Sequence, residues 1–323
     1  MENAVSREPL VVEFIRGDRV ESRHEVDVAI VEVGGRLVRS HGEFNRHVMP
    51  RSAAKPFQAL PLVVTGAADA FNLGNVELAL ACGSHGGEPG HVGAVTAWLE
   101  HLGLGPEDLA CGSHLPMHEP SAITLEVAGG QPDPTMNNCS GKHAGFLTVV
   151  CHLGLAKKKY LNPTHPLQAD YVTPSIAEAC QIDFTNQVPG IDGCGIPVWA
   201  VPLDQLATAW AELGASPIGA PAARLLEAMR SEPFHVAGSG RACTDIIRAA
   251  SGATVVKTGA EGVFCAALPD DRLGLALKVR DGASRAADAA IVHLLAELGR
   301  LPASETKSLI NRAGTVVGMV RVI

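Results

Sequence analysis

Strand-type and helix-type patterns occupy different parts of this chain, and their order limits the fold. Residues 10–39 alternate polar and apolar side chains around the turn signals Gly17-Asp18 and Gly34-Gly35, which predicts an antiparallel meander. Further strands are predicted at 253–258, 262–268, 273–279 and 314–323, and helices at 52–65, 75–82, 88–102, 119–129, 140–153, 166–181, 203–213, 219–231 and 283–299. Strands therefore lie towards both ends and helices lie between them. This order predicts one α+β domain over 1–323, with an antiparallel sheet closed by both ends of the chain and flanked by helices.

Composition and charge exclude several classes of partner. The 323 residues are 46% hydrophobic and 19% charged, which is ordinary for a globular protein. The formal net charge is −8, and the longest basic run is Lys157-Lys158-Lys159, which argues against nucleic acid or an anionic membrane as a partner. No apolar run approaches the roughly 18 residues of a membrane span, and no apolar leader follows Met1. We therefore expect a cytoplasmic protein with mostly reduced cysteines.

Reactive side chains concentrate in short stretches marked by glycine or proline. These stretches are Arg51-Ser52-Ala53-Ala54-Lys55, Cys82-Gly83-Ser84-His85, Asn137-Asn138-Cys139-Ser140-Gly141-Lys142-His143, Asp192-Gly193-Cys194-Gly195 and Lys257-Thr258-Gly259. Loops carry function more often than they carry packing, so such residues rarely gather there for structural reasons. The pattern predicts one active site, built from both halves of the chain.

The spacing of Ser52 and Lys55 is typical of serine acyl-transfer enzymes. Positions i and i+3 share one face of a helix, and a lysine that is kept neutral there can accept the serine proton. The pattern alone is weak, because Ser52 can equally be an N-cap residue. A second copy, Ser304-x-x-Lys307, lies in a polar helical stretch without reactive neighbours.

Lys257-Thr258-Gly259 strengthens that interpretation. A Lys-Thr-Gly strand after a Ser-x-x-Lys helix is an element of β-lactamases and penicillin-binding proteins, although alone it is equally a strand end followed by a turn. The Ser-x-Asn element of those proteins is absent. Tyr160-x-Asn162 could replace it, but Asn162-Pro163 is also a turn signal.

A metal site is one interpretation of the cysteine-containing loops. Cys139, His143, Asp192 and Cys194 offer two thiols, an imidazole and a carboxylate, which are ligand types for Zn²⁺. Lys142 would be an unusual ligand, because it must lose its proton to bind. The spacing matches no standard zinc finger, so two unrelated loop cysteines are the alternative. Ser84 follows a predicted helix end, where a C-cap turn is the alternative to a catalytic role.

Taken together, the motifs resemble the rhizobial-type (class 3) L-asparaginases, the "asparaginase II" sequence family. The resemblance extends nearly end to end. It covers Pro50–Pro61, Ser84–His91, Met117–Pro120, Asn137–Gly145, Asp192–Pro197, Val236–Arg241 and Lys257–Val263.

The resemblance implies a fold similar to serine β-lactamases and glutaminases, and a homodimer. It also implies two Ser–Lys pairs, Ser52 with Lys55 and Ser84 with Lys257. A zinc site would use Cys139, Lys142 and Cys194, and the residues lining the site would be Arg51, His143 and Asp192.

The expected reaction is hydrolysis of L-asparagine to aspartate and ammonia. Ser52 would attack the carboxamide and Lys55 would take its proton, while the Ser84–Lys257 pair relays protons or activates water. Asp192 would engage the substrate's α-amino group, and zinc would polarise the substrate or fix the loops. Two alternatives stay open: a glutaminase-type or penicillin-recognising serine amidohydrolase, and a zinc-stabilised binding protein for small amino acids.

Overall fold

The computed structural model of this protein describes residues 4–302 and 307–323, so Ser304 lies outside the described residues. The strands are β1 Ala4–Val5, β2 Leu10–Arg16, β3 Arg19–Glu32, β4 Leu37–His41, β5 His47–Val48, β6 Gly190–Ile191, β7 Pro197–Val198, β8 Val201–Pro202, β9 Val255–Thr258, β10 Val263–Leu268, β11 Leu273–Val279, β12 Lys307–Ile310 and β13 Val316–Val322. The helices are α1 Lys55–Val64, α2 Ala67–Ala70, α3 Asn75–Cys82, α4 Pro89–His101, α5 Glu119–Val127, α6 Ser140–His152, α7 Thr173–Ala179, α8 Leu203–Gly214, α9 Pro221–Ser231, α10 Pro233–Val236, α11 Ala242–Ala249 and α12 Ser284–Glu297. Within the described ranges, every helix is too short or too polar to cross a membrane.

The chain divides into two compact units. One, called here the sheet unit, contains the residues up to Ala53, Ala200–Ala215 and the residues from Ala249 onward. The other, called here the helical unit, contains Ala54–Trp199 and Ser216–Arg248. That the whole chain forms one catalytic domain stays a prediction.

The sheet unit is built on a largely antiparallel sheet with the strand order β12-β13-β2-β3-β11-β10-β9. Strands β2, β3 and β4 pair antiparallel in succession, which confirms the predicted meander. Strand β13 pairs with β2 and places Val320 opposite Phe14, so both ends of the chain do contribute to one sheet. Helices α8 and α12 pack on this sheet. The predicted α+β class, with an antiparallel sheet flanked by helices, is therefore confirmed.

Helix α8 shows how the sequence produces this packing. Leu203, Leu206, Ala207 and Trp210 recur at helical spacing and are all buried, so one face of the helix is apolar. The helix lies so close to β11 that a Cβ at Gly274 would be 2.0 Å from the Ala207 carbonyl oxygen. Only glycine permits this approach of helix to strand.

The helical unit packs around α6, which is buried along nearly its whole length. Helix α3, with the apolar run Leu78-Ala79-Leu80-Ala81, lies against its first turns. A Cβ at Gly141 would be 2.6 Å from the Leu80 carbonyl oxygen, and so the two helix backbones touch at this glycine. This contact brings two predicted site segments together, because α3 ends just before Ser84 and α6 begins just after Cys139.

Two predicted helices differ in type from the structure, and proline explains both. The helix expected at 52–65 begins as a 3₁₀ turn over Arg51–Ala54 and becomes α-helical at Lys55. The helix expected at 166–181 is a π-helix over Leu167–Val172 followed by α7. Pro56 and Pro174 lack the N–H that would close the preceding α-helical turn, so each turn takes another geometry.

The contact of α3 with α6 gives a test of the scaffold. We expect Gly141→Ala to lower the free energy of unfolding by about 1–3 kcal/mol, because the added methyl group meets backbone atoms that cannot move aside. Gly93→Ala is the matched control, since Gly93 lies in α4 with nothing within 4 Å of an added Cβ. That variant should be stabilised by about 0.4–1 kcal/mol. Urea denaturation of both proteins measures the difference, and equal stabilities would contradict this account of the contact.

Candidate active site

Lys55 and Ser84 form a buried hydrogen-bonded pair in the helical unit. Lys55 opens α1 and is 1% exposed, and its Nζ donates to the Ser84 Oγ at 2.8 Å. The same nitrogen also donates to the Gly83 carbonyl and, at 3.4 Å, to the Asn138 carbonyl. Three polar acceptors thus surround a nitrogen that has no access to water.

The charge state of Lys55 follows from this burial. Burial lowers the pKa of Lys55, and the positive charge of Lys142 lowers it further. The thiol of Cys139 acts in the opposite direction without outweighing burial. A lysine with a lowered pKa is a better proton acceptor near neutral pH than a free lysine is.

The position of Ser84 is fixed by backbone contacts. Its N–H donates to the Val236 carbonyl at 2.8 Å, and Gly83 ends helix α3 in extended geometry. A Cβ at Gly83 would be 2.6 Å from the His235 carbonyl oxygen, which explains glycine at this position. Ser84 therefore sits on a short segment held between α3 and the 235–236 backbone.

A second buried cluster lies beside this pair and contains Cys139, Lys142 and Cys194. Lys142 Nζ donates to the Cys194 Sγ at 2.9 Å, and the two thiols hydrogen-bond each other. That bond, together with the positive charges of Lys55 and Lys142, holds the pKa of Cys139 well below its ordinary value. The same bond raises the pKa of Cys194. Burial works against the ammonium form of Lys142, but Cys194 and Cys139 outweigh it and raise the pKa of that lysine.

This cluster fits the donor set expected for a zinc site. Two sulfurs and one nitrogen are ligands that Zn²⁺ accepts, and a bound cation would replace the protons now shared among these groups. In the described parts of the chain, no three or more His, Cys, Asp or Glu side chains group closely enough to hold a metal ion. Lys142 would therefore have to be the third protein ligand.

His143 presents a buried donor that has no partner. The Ala110 N–H donates to the Tyr160 hydroxyl at 2.9 Å, so the single Tyr160 proton is available to His143 Nδ1, which lies 2.7 Å away. Burial and the charges of Lys142 and Lys55 hold the pKa of His143 well below its usual range, so the ring is neutral. Its proton is then on Nε2, which is fully buried and has no hydrogen-bond partner among the described residues. A buried donor is costly to the fold unless a water or a ligand accepts its hydrogen bond.

Asp192 lies in the turn between β6 and β7 and is half-buried. Its Oδ1 accepts a hydrogen bond from the Gly193 N–H at 2.6 Å. The negative charge of Asp192 contributes to the raised pKa of Lys142. Asp192 therefore interacts electrostatically with the thiol cluster.

The other predicted site residues, Arg51, Ser52 and Lys257, belong to the sheet unit. Ser52 is half-buried in the 3₁₀ turn, and Arg51 before it has φ +51°, a left-handed conformation that non-glycine residues rarely adopt. Lys257 is buried on β9, and its Nζ donates to the Thr258 carbonyl at 2.8 Å. A Cβ at Gly259 would be 2.6 Å from the Pro50 carbonyl oxygen. The Lys-Thr-Gly end of β9 therefore lies against the loop that carries Ser52.

The structure thus brings Lys55, Ser84, Cys139, Lys142, His143 and Cys194 into one helical unit. The pairing that it shows directly is Lys55 with Ser84. The pairing of Ser52 with Lys55 and of Ser84 with Lys257 stays a prediction.

Tyr160 and His85 contact residues of this site, but the sequence alone assigned neither of them a role. Tyr160 was considered only as part of a Ser-x-Asn substitute, yet it binds His143. Asn162 does form the turn that its sequence suggests, because its Oδ1 accepts from the Thr164 N–H at 2.9 Å. His85 lies within the Ser-His-Gly-Gly motif, and its position next to Ser84 was the available signal.

Comparison with known proteins identifies the class and then the family. A sequence model described as L-asparaginase II matches residues 12–322, nearly the whole chain. The protein is therefore a hydrolase by family, and it belongs to the L-asparaginase II family. No curated protein matches the chain.

Similar solved structures include a β-lactamase from Mycobacterium bovis, with 18% identity, TM-score 0.44, and coverage of 85% of this chain and 95% of that one. They also include Mglu in its glutamate form, with 16% identity, TM-score 0.41, and coverage of 87% of this chain and 62% of that one.

Proposed function

We propose that this protein is an L-asparagine amidohydrolase that releases aspartate and ammonia. The observation that carries the proposal is the buried hydrogen bond between Lys55 Nζ and Ser84 Oγ, in a chain of the L-asparaginase II family. A lysine whose ammonium form is disfavoured, bonded to a hydroxyl, is suited to moving protons in acyl transfer. We also propose that the protein is a homodimer, as the family resemblance implies, and that it acts in the cytoplasm.

Ser52 is the proposed nucleophile. It is half-buried at the start of a helix, whereas Ser84 is 3% exposed. The Ser52 Oγ attacks the carboxamide carbon, its proton passes to Lys55, and backbone N–H groups at the helix start stabilise the oxyanion. The carbon–nitrogen bond then breaks, and the proton leaves with ammonia.

Ser84 is the proposed relay. Its oxygen lies 2.8 Å from the Lys55 nitrogen, so a proton can pass between the two groups. The oxygen accepts from the ammonium form, and the hydroxyl donates to the neutral amine. With Lys257 it would activate the water that attacks the acyl ester, which releases aspartate and restores the Ser52 hydroxyl.

The substrate's charged ends define the remaining roles. The Asp192 carboxylate would bind the α-amino group. The open Nε2–H of His143 would donate to a substrate oxygen, and Arg51 would bind the α-carboxylate. Polar groups that must reach both ends of the substrate together select its length more strongly than an apolar pocket does.

Cys139, Lys142 and Cys194 are the proposed zinc ligands. When bound there, zinc would supply positive charge that polarises the substrate or holds the 139–142 and 192–194 segments in place. Lys142 would enter that site as the neutral amine, since an ammonium group cannot bind a metal.

Ammonia release tests the function and the nucleophile together. We expect purified protein to release ammonia from asparagine faster than from glutamine, and Ser52→Ala to lower turnover by several orders of magnitude. Ser304→Ala, which changes the other Ser-x-x-Lys sequence, is the control and should keep full activity. Near wild-type ammonia release by folded Ser52→Ala would remove Ser52 as nucleophile. Comparable kcat/KM for both amides would favour a glutaminase-type enzyme, and binding of asparagine without ammonia release would favour a binding protein.

The proton-acceptor role of Lys55 predicts the pH dependence. Its neutral form increases as pH rises through its pKa, and burial lowers that pKa below the roughly 10.4 of free lysine. We therefore expect kcat/KM to rise towards alkaline pH with a midpoint below that value, and Lys55→Met to abolish this limb. Lys157→Met, at an exposed lysine, is the control and should keep the wild-type profile. A rate that is flat from pH 6 to 9 in the wild type would rule out this role.

Elemental analysis tests the metal site. Protein purified without chelator should contain about one equivalent of zinc, and Cys139→Ser should lose most of it. Cys180→Ser is the matched control, because Cys180 is a buried cysteine whose pKa burial raises to about 12. Zinc affinity should fall as pH falls, since protons compete for the thiolates and the amine. Less than about a tenth of an equivalent in wild type would assign these residues to structure or substrate contact instead.

A further inference from the structure

His85 occupies a fixed position and protonation state directly after Ser84. The residue is fully buried, and both ring nitrogens have partners. Nδ1 accepts from the Gly87 N–H at 3.2 Å, and Nε2 lies 2.8 Å from the Ser140 Oγ. Because a backbone amide can only donate, Nδ1 carries no proton. The neutral ring therefore donates from Nε2 to Ser140.

Ser140 continues this chain of hydrogen bonds into helix α6. The Ser140 oxygen accepts the hydrogen bond from His85, and the Ser140 hydroxyl then donates to the Thr135 carbonyl at 2.8 Å. Ser140 is the first residue of α6 and lies between Cys139 and Lys142. The hydrogen bonds run from Gly87 to His85, from His85 to Ser140 and from Ser140 to Thr135. Each donor hydrogen is used once, so the direction of all three bonds is set.

The backbone makes a second connection between the same two segments. The His85 N–H donates to the Asn138 carbonyl at 3.2 Å, and that carbonyl also accepts from Lys55. The segment that carries Ser84 and the segment that carries Cys139 are thus joined by a side-chain bond and by a backbone bond whose acceptor also binds Lys55.

Aromatic stacking holds the His85 ring in the orientation that this bond requires. It stacks on His91 with centroids 4.8 Å apart, and His91 stacks on Phe234 at 4.2 Å. The His91 nitrogens bond elsewhere, Nδ1 accepting from the Glu88 N–H and Nε2 donating to the Phe234 carbonyl. His91 is as buried as His85 but is bonded to α4 and α10 instead of α6.

We propose that His85 is a positioning residue that sets the Ser84 hydroxyl relative to the Cys139–Lys142 end of helix α6. It does so through the hydrogen bond to Ser140 and acts without touching the substrate. This inference deepens the proposed function and rests on it, because Ser84 and the thiol cluster matter only if both serve the reaction.

A double-mutant cycle tests this role. His85→Phe keeps a stacked ring but loses the donor, and it should lower kcat by about 10–100-fold with little change in KM, the size of effect that a small displacement of a reacting group produces. Ser140→Ala should lower kcat similarly, and the double variant should be no worse than the poorer single variant. His85→Gln, whose amide can donate from the position of Nε2, should recover most of the loss.

His165→Phe is the matched control, because His165 is also buried and its ring nitrogens bond to the Ala156 carbonyl and the Leu167 N–H. Combined with Ser140→Ala, its effect on kcat should be independent and multiplicative. Multiplicative effects for the His85 and Ser140 changes as well, or a His85→Gln variant no better than His85→Phe, would overturn the proposal. If His85→Phe does not fold, the test can still be made with the Ser140→Ala and His85→Gln variants.

Amide hydrogen exchange separates this inference from the proposed function. Exchange in residues 138–143 should be faster in His85→Phe than in wild type and unchanged in His165→Phe. If the wild type releases no ammonia from any amide, the proposed function has failed, and the exchange result still decides whether His85 holds the two segments together. Equal exchange in both variants would refute that role.

Discussion

A buried lysine nitrogen must find polar partners, and the arrangement of the helical unit follows from how Lys55 finds them. The Lys55 side chain is almost fully buried, so the Gly83 and Asn138 carbonyls and the Ser84 hydroxyl take the place of solvent. These acceptors come from two separate segments, which must both face the start of α1. The shape of the site is therefore set largely by the solvation of one nitrogen, and an unpaired charge there would cost the fold more than the contacts of any single apolar residue contribute.

Glycines at the helix ends allow the two segments to come that close. At Gly83 and Gly141 a side chain would collide with backbone carbonyl oxygens 2.6 Å away. Lys142 and the thiols are then brought beside Lys55, where each group changes the charge state of the others. One lysine is driven towards its neutral form by burial while the other is held as ammonium by sulfur. Two lysines thus acquire opposite properties within the same cluster, one suited to accept a proton and the other to hold a positive charge.

Periodicity along the chain was sufficient for most of the fold. The meander, the later strands and the long helices follow from local patterns, and their predicted ends fall within a few residues of the observed ones. Helix α11 was missed although Cys243, Ile246 and Ile247 carry the helical spacing. Lys307 was wrongly placed in a helical stretch, since it begins strand β12. Sequence spacing could only relate Ser52 to Lys55, because it reports neighbours on one helix. The bond from Lys55 to Ser84 depends on how α1 and α3 pack, and the open donor of His143 depends on a tautomer set by Ala110 through Tyr160. Neither is encoded in local spacing.

The pairing of β13 with β2 has a consequence for how the protein is made. Phe14 and Val320 are partners across a sequence separation on the order of 300 residues, the kind of contact that slows folding most. During synthesis the meander of β2, β3 and β4 emerges first. The elements that cover and complete it follow much later, and these are α8, β10, β11, α12 and β13. All segments of the helical unit are synthesised before β10, β11 and β13. Throughout that interval β2, which is rich in apolar residues, has an unpaired edge of the kind on which aggregation begins. The delay between synthesis of the two ends of one sheet is thus the period in which this edge is exposed to wrong partners.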